Sequence, residues 1–201
     1  MTTKWSKKSN KIFSDIKKYG PNINRKIYQT PRLNYINDLQ KRRYFTKHYA
    51  WAIPNKTAIM KIKKFAKKEK ILEVGAGLGL WAYLLQEANA NIVETDDFSW
   101  KDKKLKDFTK VEKLNVQDSL EKYKDCNILL LVWPPYDKPM ANNALKKFKG
   151  NKLVYIGEEE GGATANDNFY IRLKKNWKQV DKYDIPGWIY IHDTMTFYER
   201  K

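Results

Sequence analysis

At 201 residues the chain has room for one ordinary domain plus an extension, and is too short for two full catalytic domains. Hydrophobic residues at 42% and aromatics at 14% suffice for a packed core, and 31% charge describes a hydrated surface, so wholesale disorder is excluded. One cysteine, Cys126, and two histidines, His48 and His192, leave neither an internal disulfide nor a cysteine-rich zinc site, and no metal is expected. No apolar run approaches the roughly 18 residues that cross a bilayer, and the start Met1-Thr-Thr-Lys-Trp5 lacks the apolar stretch of a secretory signal. The expectation is a cytoplasmic or nuclear protein that does not engage membranes.

The net charge of +17 is unevenly placed. Residues 1 to 70 hold 20 Lys and Arg against 3 acids, whereas residues 71 to 201 hold 20 against 20. Only 6 of the 40 basic residues are arginine, which is what an AT-rich genome produces, yet such a bias acts on the whole chain. A segment that alone carries the excess suggests a face for a polyanion, and a nucleic acid partner is expected, with Lys41, Arg42 and Arg43 as candidate contacts.

In chain order, the basic start alternates lysines with isolated apolar residues and breaks at Gly20-Pro21, as a short helix from about Asp15 or as an ordered arm. Pro31 fits the first turn of a helix through Leu33, Tyr35, Ile36 and Leu39 to Tyr44. A second helix is predicted from Lys56 to Lys68. From Ile71 the pattern becomes apolar strands alternating with helices, which predicts an α/β fold with a parallel sheet. The strands are Ile71 to Val74, Asn91 to Asp96, Val111 to Leu114, Asn127 to Val132 and Leu153 to Ile156. The helices are Leu80 to Ala88, Met140 to Phe148 and Asn166 to Trp177. Two further strands, Lys178 to Ile185 and Thr194 to Glu199, follow without a helix between them and should pair antiparallel.

Glu73-Val-Gly75-Ala76-Gly77-Leu-Gly79 places a glycine-rich turn between a buried strand and an apolar helix. Glycines let the turn go tight and let a ligand approach the backbone. A dinucleotide fingerprint requires its third glycine at position 80, which is Leu80, and Glu73 suits an ammonium better than a pyrophosphate. S-adenosylmethionine fits that description. Asp96, and next Asp97, lie about 20 residues on, where a carboxylate accepts ribose hydroxyls. Asp118 and Ser119 follow the third strand, either as a helix cap or where a carboxylate and an amide read an adenine edge.

On these residues the chain resembles the class I S-adenosylmethionine-dependent methyltransferases. Within that class it is similar to a small, largely uncharacterised branch through Tyr49-Ala-Trp-Ala-Ile-Pro54, Trp133-Pro134-Pro135-Tyr136, Gly157 to Thr164 and Ile191-His192-Asp193. The resemblance implies a Rossmann-like seven-stranded sheet with an antiparallel last hairpin, over a methyltransferase domain at 46 to 201 preceded by a basic helical extension at 1 to 45. Trp133 to Tyr136 is also similar to the Asn/Asp/Ser-Pro-Pro-aromatic tetrad of amino-methyltransferases, in which a side-chain oxygen and a proline carbonyl accept from an exocyclic amine while the aromatic stacks on the target. Here the first position is Trp133, so only the Pro134 carbonyl and the Tyr136 ring carry over, and Trp133 offers a second stacking plane.

Ligands of such a sheet bind beyond the carboxyl ends of the strands. Glu158, Glu159 and Glu160 reach that rim, as neutralisers of a substrate amine or as a solvated turn, and His192 as a general base or a structural residue. The expectation is a methyltransferase acting on nucleic acid, RNA slightly ahead of DNA, at a base amine. A small-molecule or protein acceptor, and a non-catalytic nucleic-acid-binding subunit, are the alternatives.

Overall fold

The computed structural model describes residues 3–21, 32–100 and 104–201, with the side chains of 32–35 excepted; the expected helix start at Pro31 lies outside them. Seven strands form one sheet: β1 Ile71–Val74, β2 Ile92–Asp96, β3 Glu112–Lys113, β4 Ile128–Val132, β5 Lys152–Gly157, β6 Trp177–Asp184 and β7 Thr194–Arg200. Their order is β3-β2-β1-β4-β5-β7-β6, with β1 to β5 parallel and β7 antiparallel to both β5 and β6. This is the mixed sheet with a terminal hairpin that the strand pattern predicts.

Strand alternation divides the core into two layers. Ile71, Ile128, Leu130, Val154 and Ile156 face one cluster, while Leu72, Leu129, Leu131, Leu153 and Tyr155 face the other. The first layer is covered by α1 (Lys7–Tyr19), α3 (Lys56–Ala66) and α4 (Leu80–Glu87), through Ile12, Ile16, Ile59, Ile62, Trp81 and Leu84. The second is covered by α5 (Val116–Lys122), α6 (Met140–Lys147) and α7 (Asp167–Asn176), through Leu120, Leu145, Phe169 and Leu173. Side-chain caps set several helix starts: Asn55, Asn115 and Asn166 each accept from the backbone N–H three residues on.

Some boundaries differ from the sequence reading. The first helix begins at Lys7 rather than about Asp15, because Ser6 caps it by accepting from Ser9 N at 3.1 Å. Its apolar residues dock on α4, and Glu87 accepts from Ser6 N and Ser9 Oγ, both at 3.0 Å. The helix α2, Arg32–His48, runs through positions 45 and 46, and Phe45 is buried in the same cluster as Ile12 and Ile53. Trp177 opens β6 instead of closing a helix, and β3 keeps only two of its four expected residues. A bulge between Gln179 and Asp181 interrupts the β6·β7 register. No helix among the described residues is long and apolar enough to cross a membrane.

Because α1 shares the central core, Ile16→Ala should lower global stability by about 2 to 5 kcal/mol in urea denaturation, with one transition retained. A separate early transition would mean that α1 melts independently of the sheet.

Candidate active site

The strand order reverses between β1, whose successor β2 lies on one side, and β4 on the other. At such a switch point the loops after the two strands diverge and leave a crevice. The glycine turn follows β1 and the Trp133–Tyr136 corner follows β4, so the topology sets the two motifs side by side. Between them lies a cavity of about 890 Å³, toward the upper end of the range for a single drug-sized ligand.

Its inner wall is the glycine turn. Gly75, Gly77 and Gly79 have φ of 75°, 61° and 74°, and Gly79 opens α4 from the left-handed region. The amides of Gly75 and Ala76 donate to Thr95 O at 2.9 and 3.0 Å, and Gly77 N donates to Asp96 Oδ2 at 2.8 Å. The turn is thus fixed by the end of β2.

The carboxylates differ in character. Glu73 is 1% exposed, lines the cavity, and its Oε2 has no hydrogen-bond partner among the described residues. Burial, with the Glu94 carboxylate second, holds its carboxyl well above the usual range. Asp96 is also buried, which raises it, while both oxygens are engaged: Oδ2 by Gly77, and Oδ1 by Phe98 N at 2.7 Å and Trp100 Nε1 at 3.0 Å. Asp97 is exposed and faces the cavity, and its hydrogen bonds from Ser99 hold its carboxyl low. Asp96 accordingly ties the glycine turn to β2, and Asp97 is the more accessible acceptor for hydroxyl groups.

Asp118 and Ser119 do not reach the cavity lining. Residues 116 to 122 form a helix whose cap is Asn115, so Asp118 lies in its first turn and is neither the cap nor an adenine contact. Asp118 meets its cap, Asn115, at 2.7 Å, and Ser119 Oγ donates to Asn115 O at 2.6 Å. Leu114, Asn115 and Val116 take their place against the cavity.

At the corner, Trp133 has φ 51°, and its indole N–H donates to buried Asp193 Oδ1 at 2.6 Å. Pro134 O accepts from Ala165 N at 2.9 Å, a bond that belongs to the fold. Pro135 bridges Thr164, and Tyr136 is 63% exposed at the mouth. The acidic run is structural: Glu158 accepts from Ala163 N at 2.8 Å and His192 N at 2.9 Å, while Glu159 pairs with Lys182 and Glu160 with Lys174. His192 is exposed and outside the cavity lining.

Residues from before the sheet also line the cavity, Arg42, Thr46, Lys47, Tyr49, Ala50 and Trp51, and two of them meet the Trp133 corner. Trp51 stacks on Trp133, centroids 4.9 Å and planes 17° apart, and the Arg42 guanidinium lies 5.7 and 5.8 Å from the two ring centroids. Of the three basic candidates on α2 only Arg42 lines the cavity; Lys41 and Arg43 are exposed outside its lining. The Tyr49-to-Pro54 stretch carried the signal for Trp51, but nothing local announced its partner 82 residues on.

The donor set fits S-adenosylmethionine on the strength of the unpartnered Glu73 oxygen, which matches an ammonium, and of Asp97, which matches ribose hydroxyls.

No protein-family model and no curated protein matches the chain. Solved structures do. An uncharacterized protein from Listeria monocytogenes serotype 4b superposes with a TM-score of 0.50 at 11% identity, over 74% of this chain and 69% of that one. The ribosomal protein L11 methylase of Lactobacillus delbrueckii subsp. bulgaricus gives 0.48 at 13% identity, over 75% and 81%. Magnesium protoporphyrin IX methyltransferase from Synechocystis PCC 6803, with bound SAM, gives 0.46 at 9% identity, over 100% of both chains. The likeness is one of architecture: a Rossmann-like α/β fold built on a seven-stranded sheet with an antiparallel last hairpin.

Proposed function

We propose that the protein binds S-adenosylmethionine as methyl donor and transfers the methyl group to nucleic acid, RNA ahead of DNA. The observation that carries the donor assignment is Glu73, buried and half-unpartnered at the back of a glycine-lined cavity. When bound, the donor supplies an electrophilic methyl carbon, and the protein's part is to align it with an acceptor at the outer half of the cavity. Glu73 would hold the ammonium and Asp97 the ribose, while Leu114 and Val116 would border the adenine. The acceptor reading rests on the excess charge of residues 1 to 70 and on the indole pair and Arg42 at the mouth.

Two measurements test it. Calorimetry should give one site for S-adenosylmethionine and S-adenosylhomocysteine; tighter binding of a nicotinamide dinucleotide would sink the donor assignment. Labelled donor incubated with separate pools of RNA, DNA, protein and metabolites should place the label in RNA first. Label in the protein or metabolite pool would favour those alternatives, and donor binding without any transfer would favour a non-catalytic subunit.

Affinity for single-stranded RNA should fall steeply with salt. With about six phosphates neutralised, the slope of log affinity against log salt is about −4. Replacing Lys41 and Arg43 with Gln should flatten the slope by about 1.4 and leave donor binding unchanged, since both lie outside the cavity lining. A salt-insensitive interaction would mean that the lysines are compositional.

A further inference from the structure

Trp133 occupies the place where the similar amino-methyltransferase tetrad has Asn, Asp or Ser, and three contacts fix it there. Its backbone N–H donates to Ile156 O at 2.7 Å, its indole N–H donates to the fully buried Asp193 at 2.6 Å, and its ring lies on Trp51. It adopts a positive φ that bulky residues rarely take, so the surrounding structure over-determines it. The Pro134 carbonyl meanwhile accepts from Ala165 N. Of the two acceptors that hold an exocyclic amine in that tetrad, the first is here a tethered indole, which accepts nothing, and the second is a carbonyl with one of its two lone pairs committed to the fold.

What the corner presents is flat apolar area with a cation beside it: the indoles of Trp51 and Trp133, the exposed Tyr136 ring and the Arg42 guanidinium. An alkylammonium is a poor occupant, because Arg42 already places positive charge over both indoles. A planar heterocycle stacks there whatever its sequence context, and Arg42 suits a phosphate attached to it. Stacking leaves the ring edge as the part that reaches inward. An exocyclic NH2 has its lone pair delocalised into the ring and depends on acceptors to localise it. A pyridine-type ring nitrogen has an in-plane pair ready to react.

We propose that the corner selects a nucleotide base and that the methyl-accepting atom is a ring nitrogen with an in-plane lone pair, not an exocyclic amine. This deepens the methyl-transfer reading above and rests on it. In the step, the nitrogen pair forms the new N–C bond and the S–C bond breaks with its pair going to sulfur. The sulfonium becomes a thioether, and the positive charge passes to the methylated ring. No proton leaves the nitrogen, so alignment replaces a general base, consistent with an exposed His192 outside the cavity lining. Trp51 and Trp133 are positioning residues.

The experiment uses the full chain, labelled S-adenosylmethionine and three acceptor forms: RNA oligonucleotides, DNA of the same sequence, and nucleoside monophosphates. Each is supplied unmodified, with each ring nitrogen in turn replaced by CH, or without the exocyclic amine, as inosine for guanosine and purine riboside for adenosine. One deaza substitution should reduce transfer at least 100-fold, whereas loss of the amine should change it only a few-fold; the preferred form separates a polymer from a free nucleotide. Trp51→Ala should raise KM for the base about tenfold, with kcat and donor affinity within twofold and partial rescue by Trp51→Phe. Label on an exocyclic amine, or only on protein or non-aromatic metabolites, overturns the proposal while methyl transfer stands. Absence of donor binding by calorimetry removes the underlying reading and this proposal with it.

Discussion

Gly75→Val is expected to abolish S-adenosylmethionine binding while leaving a folded protein. At φ 75° a β-branched residue is strained by about 1 to 2 kcal/mol, and an added Cβ would lie 2.2 Å from Met140 Cε. The methionine end is flexible and moves, but it lines the cavity, so relief of the clash comes at the expense of the ligand's space. The wild type should gain about 2.7 kcal/mol of stability at a donor concentration 100 times its Kd, and the variant should gain none. Gly161→Ala is the control: φ there is 85°, and an added Cβ meets nothing within 4 Å, so it carries backbone strain without touching the site. A Gly75→Val protein that keeps the full ligand-induced gain would show that the turn is not a wall of the donor site.

Glu73→Gln should stabilise the ligand-free protein at neutral pH and weaken donor binding about 10- to 100-fold, the scale of a hydrogen bond to a charged group. The native carboxyl is held well above its ordinary value of 4.5 by burial and by Glu94. Below the unfolded value both states hold the proton, and Glu73 makes stability insensitive to pH. Between the unfolded and the native values the unfolded chain has released its proton and the native chain has not, so stability falls as pH rises through that window. Glutamine removes this slope. An ammonium ligand favours the ionised carboxylate, so wild-type binding should release a proton and tighten as pH rises, and the variant should do neither. Denaturation from pH 4 to 8, with calorimetry in buffers of different ionisation enthalpy, reads both effects. Parallel pH profiles for the two proteins would mean that Glu73 does not titrate against the ligand.

The centre of the sheet was legible because β1, β4 and β5 are buried on both faces, and such strands read as unbroken apolar runs, as at Ile128–Val132. The glycine turn was legible because its spacing between strand and helix is a local property. What escaped was of two kinds. The start of α1 at Lys7 rests on a serine cap and on docking to α4; its first apolar residue, Ile12, comes more than a turn later, so the apolar periodicity marks the helix but not where it begins. Asn115 and Asp118 are both residue types that cap helices, and composition does not separate them; the cap falls on Asn115, which turns Leu114, Asn115 and Val116 to the cavity instead of Asp118 and Ser119. The second kind is tertiary. That Trp51 lies on Trp133, that Asp193 holds the Trp133 indole, and that Arg42 turns to the mouth while Lys41 and Arg43 do not are long-range meetings with no spacing to read.

The two outermost strands bear on how the protein behaves when crowded against copies of itself. An open edge is a template on which another molecule can add a strand, and runaway addition is the start of aggregation. At one border β3 offers only Glu112 and Lys113, too short to template a partner. At the other, β6 is long but is broken by its bulge, and Lys178, Asp181 and Lys182 stand exposed along it. A bulge twists an edge away from flat pairing, and docking a second strand there would bring those charges against it. Val180 is the exposed apolar residue within that bulge, 43% accessible, and the register shift keeps it from continuing a regular ladder. A sheet of seven strands with an apolar interior is thereby kept from growing, and concentrated solutions of the folded protein should resist fibre formation.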